Sequence, residues 1–280
     1  MRSLASALPK ISAFPWTRKC ANQDCRRSRM RSAGWRRAAG IAIQDQWLCG
    51  PDCFEESLAK LLATLNVSAR RELPAHRNRV PLGLTLLARG HLSEPQLRTA
   101  LDEHHATGVR LGDVILQLGF ATEQQVTSAL AEQWGYPIFS LRNPVSETPV
   151  SIPTRLLELN RMLPVYYASV SRRLLVGFAD GVNYRILDAI AHVVPCAPSP
   201  CIIAASEYRS GLEFIVARMR GKEVAFDGES TPWEMARIIR NYAVQTAAEE
   251  MRFAACGNHL WTRLKGRRQE MDILFRLSHE

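Results

Sequence analysis

The chain has 280 residues, 46% of them apolar, and its formal net charge of +9 lies wholly in residues 1–80, where 15 Lys and Arg meet 6 Asp and Glu. That length holds one large domain or two to three smaller ones, no apolar run approaches the roughly 18 residues of a membrane span, and the opening "MRSLASALPKISAFPW" has too short an apolar core for a secretory signal. Seven cysteines, an odd number, do not suggest a disulfide framework without such a signal, and the reading is a cytoplasmic protein.

The first element is the basic one. A segment of this charge attracts phosphate, nucleic acid or anionic lipid, or else forms a solvated, partly disordered face. It holds Arg26, Arg27, Arg29, Arg31, Arg36 and Arg37, with Trp35 among them as a stacking residue or a small-core anchor. The same segment carries two cysteine knuckles, Cys20 with Cys25 and Cys49 with Cys53. Short loops of this kind let two thiolates converge on one ion, and four thiolates make the tetrahedral shell that zinc prefers. Between the knuckles "GIAIQDQWLC" alternates like one short strand, and "FEESLAKLLATL" after them has helical spacing. Residues 16–66 therefore read as a small zinc module whose metal supplies folding free energy that so few apolar residues cannot. Four Cys close the shell, so the metal is structural rather than catalytic. The other reading is four free thiols in a basic tail. Cys196, Cys201 and Cys256 stand in apolar surroundings and read as core.

Residues 78–140 follow as a doubled motif. "PLGLTLLARGHLSEPQLRTALDEH" begins at Pro81, and "RLGDVILQLGFATEQQVTSALAEQ" begins at Arg110, 29 residues later. Each copy reads as a short helix stopped by Gly90 or Gly119, then a longer helix opened by a capping box, Ser93 with Gln96 and Thr122 with Gln125. Leu97 and Leu101 correspond to Val126 and Leu130 on one helix face. Periodicity alone describes an all-helical packing unit with a leucine core. It does not explain Arg110-Leu111-Gly112, where a glycine and a positive charge at a helix start can grip a phosphate or a guanine edge.

For residues 141–220 the family resemblance given below implies a small α/β half, with strands in "RMLPVYYA", "RRLLVGFAD" and "PCIIAA" and helices in "NYRILDAIAHVV" and "SEYRSGLEFIV". For residues 231–280 the same resemblance implies a helix ahead of the strands "MRFAAC" and "HLWTRLKG" and a last apolar strand. The fold class is thus α+β: a helical tandem repeat, then a small α/β subdomain, flanked by the zinc module and a C-terminal α/β segment.

Over residues 78–220 these features in order resemble the N-terminal domain of type II secretion and type IV pilus assembly ATPases, and residues 231–280 faintly resemble the start of the next ATPase region. The resemblance implies that the doubled motif binds cyclic di-GMP. Leu and Gly of each copy would line the ligand, with Arg and Gln adding polar contacts. Carried over by position, the second copy keeps Arg110, Leu111, Gly112, Leu130 and Gln133, with Val126 in place of a leucine. The first keeps Leu82, Gly83, Leu97 and Leu101 but has Pro81 for the arginine and His104 for the glutamine. A lost charge-assisted contact costs about 1.5–3 kcal/mol, roughly ten- to a hundredfold in affinity. Two readings follow, a ligand site short of one contact or a scaffold that has lost its ligand.

The phosphate-binding loop G-x-x-x-x-G-K-[ST] is absent, since the one Gly-Lys pair, Gly221-Lys222, is followed by Glu223. No Ser/His/Asp arrangement stands out, and Asp102-Glu103-His104-His105 reads as a solvated helix end. The expectation is a binding protein and not an enzyme, sensing cyclic di-GMP or docking on secretion or pilus machinery. The rivals are a zinc-dependent nucleic-acid-binding regulator and a ligand-free adaptor.

Overall fold

The computed structural model describes residues 20–25, 40–68, 79–141, 150–219, 223–267 and 269–277. The arginines of residues 26–37 and Trp35 lie outside the described residues. Among the described residues the fold is α+β, with nine helices and two mixed sheets.

The stretch expected to be one strand is a hairpin, β1 (Ile41–Ile43) and β2 (Gln46–Leu48). Gln44 and Asp45 take φ of 45° and 73°, and two consecutive left-handed residues make the tight turn that matches strand twist. Helix α1 (Pro51–Ser68) follows, with proline at its first position and Asp52 in its first turn.

The doubled motif forms α2 (Leu82–Ala88), α3 (Glu94–Thr107), α4 (Leu111–Gln117) and α5 (Glu123–Trp134). Both capping boxes form as read: Ser93 accepts from the Gln96 N–H and Thr122 from the Gln125 N–H, and each glutamine side chain accepts in return. Gly90 and Gly119 sit at φ of 68° and 67°, a conformation that a Cβ would strain. The pairs interlock crosswise, α2 packing on α5 and α3 on α4.

The next part builds a three-stranded sheet in the order β3-β4-β5 from β3 (Met162–Ala168), β4 (Arg173–Phe178) and β5 (Ala197–Ile202). Helices α6 (Thr154–Asn160), α7 (Tyr184–Val193) and α8 (Ala205–Met219) accompany it. One sheet face packs Leu163, Val165 and Cys201 with Tyr208 of α8. The other shares a core with α7, through Val176, Phe178, Ile186 and Ile190, and with the repeat, through Leu97, Ile115 and Leu130.

The C-terminal region adds β6 (Glu223–Phe226), α9 (Pro232–Gln245), β7 (Ala248–Cys256), β8 (His259–Gly266) and β9 (Glu270–Arg276). Its three expected strands are present, and β6 was not foreseen. The second sheet runs β2-β1-β7-β8-β9-β6, so the cysteine-flanked hairpin and the C-terminal strands form one sheet. β1 pairs parallel to β7, with Ile43 opposite Met251. Phe54, Leu58 and Leu62 of α1 share a core with Met235, Ala236 and Ile239 of α9 on one face of this sheet. Trp261 and Leu274 on its other face join the core of α7. The N-terminal segment therefore draws part of its missing burial from the far end of the chain.

Cys201 and Cys256 are buried, and burial pushes both thiols up to about 12. Both remain protonated thiols and act as core residues, as expected. Cys196 is half-buried and packs against the core that holds Cys256. Among the described residues no helix is long and apolar enough to cross a membrane.

Candidate functional sites

Two clusters stand apart from ordinary packing. The first is the facing pair of helix starts in the repeat. Gly83 and Gly112 lie in the first turns of α2 and α4, and each meets side chains of both copies. A methyl group on Gly83 would fall 2.5 Å from Leu97 Cδ1 and 3.5 Å from Leu111 Cδ2. One on Gly112 would fall 3.6 Å from both Val126 and Leu82. The leucine of each opening thus lies over the glycine of the other, a local two-fold-like arrangement.

The ends of the long helices repeat this symmetry. Gln133 Nε2 donates to the Val80 carbonyl at 2.9 Å, and His104 Nδ1 donates to the Val109 carbonyl at 2.5 Å. Val80 and Val109 are equivalent positions in the two copies, so each polar side chain fastens the start of the opposite copy. His104 therefore fills the place of the missing glutamine with the same kind of bond. Neither contact was legible in the sequence, which paired these residues with a ligand.

The apolar candidates divide by depth. Leu97, Val126 and Leu130 are core residues, Gly83 is buried, and Leu82, Leu101, Leu111 and Gly112 are half-buried. Pro81 and Arg110 are exposed at the two helix starts. Arg110 pairs with Asp180, which follows β4 in the α/β half. Arg79 lies elsewhere: its guanidinium carbon stands 3.6 Å from the Trp134 ring centroid, and Nη2 donates to the Tyr184 hydroxyl at 3.0 Å. It is committed to this aromatic contact and does not stand in for the arginine missing at Pro81.

Two more bonds tie the second copy to the α/β half. Asp113 and Arg161 form a bidentate ion pair with side chains mostly out of solvent. Glu123 accepts from the Ser206 N–H at 2.7 Å and from its hydroxyl at 2.6 Å, at the start of α8.

The second cluster is the four cysteines. The Sγ atoms of Cys20, Cys25, Cys49 and Cys53 all lie within 4.8 Å of one another. Cys25 to Cys49 is 3.6 Å and Cys49 to Cys53 is 3.8 Å. A tetrahedron of zinc–sulfur bonds near 2.3 Å has edges of about 3.8 Å, so the donor set fits a metal ion. The Cys49 N–H lies 3.5 Å from Cys20 Sγ and donates to it. Burial, followed by hydrogen bonds from neighbouring thiols, pushes Cys49 well above its ordinary range and Cys53 up to about 11. A cation reverses this by stabilising the thiolates, so metal uptake releases protons and weakens as pH falls. Outside the thiols, Asn22 donates to Glu56 at 3.0 Å and Lys60 pairs with Asp24 and Glu56, tying the first knuckle to α1.

No family model matches the chain. It is 32% identical over 149 residues, 51% of its length, to bacteriophage adsorption protein B of Escherichia coli (strain K12). It is 29% identical over 109 residues, 38% of its length, to the type IV pilus assembly ATPase PilB of Myxococcus xanthus (strain DK1622). The chain spans about a fifth of the length of these curated relatives, 19% in each case. Among solved structures it is similar to MshE with cdg, at 27% identity, 49% of this chain, 99% of that one and a TM-score of 0.41. It is also similar to the N-terminal domain of XpsE, at 21% identity, 51% of this chain, 96% of that one and a TM-score of 0.38. The resemblance to secretion and pilus ATPases carried by the doubled motif is thus met again in a curated pilus assembly ATPase.

Proposed function

We propose that the repeat is a binding site for cyclic di-GMP in a protein that docks on type II secretion or type IV pilus machinery, and that the four cysteines hold a structural zinc. The crosswise pair of helix starts carries the reading. A ligand with two guanine bases and its own two-fold symmetry matches two openings that share their leucines and glycines. Leu82 and Leu111 offer half-buried apolar surface, the Gly83 and Gly112 backbones allow close approach, and Arg110 supplies the positive charge. His104 and Gln133 act mainly by fastening the two openings together. The site binds and performs no chemistry. When bound, the zinc would fix the hairpin ends through Cys20, Cys25, Cys49 and Cys53.

The test is a titration of the full chain with cyclic di-GMP at fixed salt. Arg110→Ala is expected to abolish binding, because Pro81 leaves no second arginine to compensate. Pro81→Arg is expected to strengthen it by about tenfold or more, the equivalent of a restored charge-assisted contact of at least about 1.5 kcal/mol. If wild type and Pro81→Arg both fail to bind while folded, the repeat is a scaffold.

A further inference from the structure

We propose that Arg161 is a positioning residue for the second opening of the repeat: it holds the first turn of α4 in the orientation that receives the ligand, and adds little to stability. The inference rests on the proposed ligand site and adds the residue that sets its geometry. Arg161 stands at the end of α6, in the α/β half, and its side chain reaches the first turn of α4. Both terminal nitrogens donate to Asp113, with Nη2 to Oδ1 at 3.0 Å. A planar guanidinium that meets a carboxylate through two parallel bonds fixes direction as well as distance. Asp113 directly follows Gly112, whose backbone lines the proposed site. The main chain of Arg161 is engaged as well. Its carbonyl accepts from the Ala179 N–H at 2.9 Å, and the next residue, Asp180, pairs with Arg110. One residue thus braces both flanks of the second opening.

Two features argue that stability is not what Arg161 supplies. Its backbone is left-handed, at φ of 45°, where a Cβ is strained and glycine would sit more easily. Its Nε is buried without a hydrogen-bond partner among the described residues. The Tyr208 ring, its centroid 5.7 Å from the guanidinium carbon, offsets part of this cost. An ion pair withdrawn from solvent is itself weak grounds for stability. The first copy supplies the comparison. Leu84 follows Pro81 by three places, as Asp113 follows Arg110, and it is 49% exposed. The fold therefore accepts leucine at this point, and the braced carboxylate occurs only in the copy that keeps its motif charge. An unbraced α4 would present the second opening in the receptive orientation for only part of the time, and affinity falls by that fraction.

The experiment titrates the full chain with cyclic di-GMP at fixed salt, as wild type, Arg161→Met, Arg161→Lys and the double variant Arg161→Met with Asp113→Leu. The double variant gives the second copy the leucine of the first. Each protein is also melted, and amide hydrogen exchange of residues 111–117 is followed without ligand. Arg161→Met is expected to bind about five- to tenfold more weakly, as for an opening rightly oriented about a tenth to a fifth of the time. It should also melt earlier, because Asp113 is left unpaired. Arg161→Lys keeps the charge without the fork and should fall between it and wild type. The double variant should melt close to wild type, since no carboxylate is left unpaired. It should still bind as weakly as Arg161→Met and exchange faster than wild type over residues 111–117. Wild-type affinity in Arg161→Met or in the double variant overturns the inference and leaves the ligand site standing. Affinity that simply follows melting temperature through the series also overturns it, since the pair is then only structural. If wild type does not bind, the ligand reading falls and exchange judges the brace: faster exchange in the double variant upholds it, and unchanged exchange overturns it.

Discussion

Replacing Cys49 with serine is expected to strip the protein of about one zinc per chain and to lower its melting temperature by about 10 °C. The first effect follows from the donor set. Cys49 is the hub of the cluster, 3.6 Å from Cys25 Sγ, 3.8 Å from Cys53 Sγ, and joined through its N–H to Cys20. The second follows from the sheet. The hairpin between the knuckles pairs with β7, and α1 beyond them lies on α9 in one shared core. Losing the metal therefore does more than free an N-terminal tail, because it loosens one edge of the six-stranded sheet. A loss of about 4 kcal/mol in a chain of this size corresponds to a shift of that order. Elemental analysis of purified wild type and variant checks the first part, and thermal melts with and without chelator check the second. A fully folded wild type that carries no metal at any stage of purification removes the zinc reading.

The second large effect is expected at Asp272. This carboxylate is buried in the six-stranded sheet beside Arg263, with side-chain exposures of 4% and 8%. Arg263 Nε and Nη2 each donate to it at 2.8 Å, and Trp261 Nε1 donates at 2.8 Å as well. Arg263 also reaches back to the Ser151 carbonyl at 2.6 Å, linking β8 to the segment that leads into α6. Asp272→Ala leaves a buried guanidinium and an indole N–H without their acceptor. Breaking one side of such a pair costs about 3–5 kcal/mol. The double change Arg263→Met with Asp272→Leu is expected to recover part of that loss, since no charge stays buried while the Trp261 N–H still lacks its acceptor. Urea denaturation of the two single variants and the double variant measures the cycle. A loss below about 1 kcal/mol for Asp272→Ala would show the pair to be dispensable.

The elements legible in the sequence were those written by near neighbours. The capping boxes at Ser93 and Thr122 involve partners three residues away, and a helix start needs nothing more distant to form them. Gly90 and Gly119 stop their helices through their own backbone freedom. The knuckle spacings already bring the thiols of Cys20 and Cys25, and of Cys49 and Cys53, to common turns. The alternating stretch between them was legible as strand, but its turn was not. Gln44 and Asp45 lack the usual Gly of such turns and still adopt positive φ.

What the sequence by itself determined is therefore most of the elements, though not β6, α6 or the β1–β2 turn, together with the doubled motif and the convergence of four thiols. The tertiary structure decided how they meet. Ile43 lies opposite Met251, more than two hundred residues away, so the first strands complete the last sheet. Arg110 meets Asp180 instead of standing clear, and Gln133 and His104 bond to opposite backbones instead of facing outward. The physical reason is common to all of these. A cap or a glycine stop is stabilised within one turn of chain, whereas strand register and long-range ion pairs depend on which surfaces are buried together when the whole core forms.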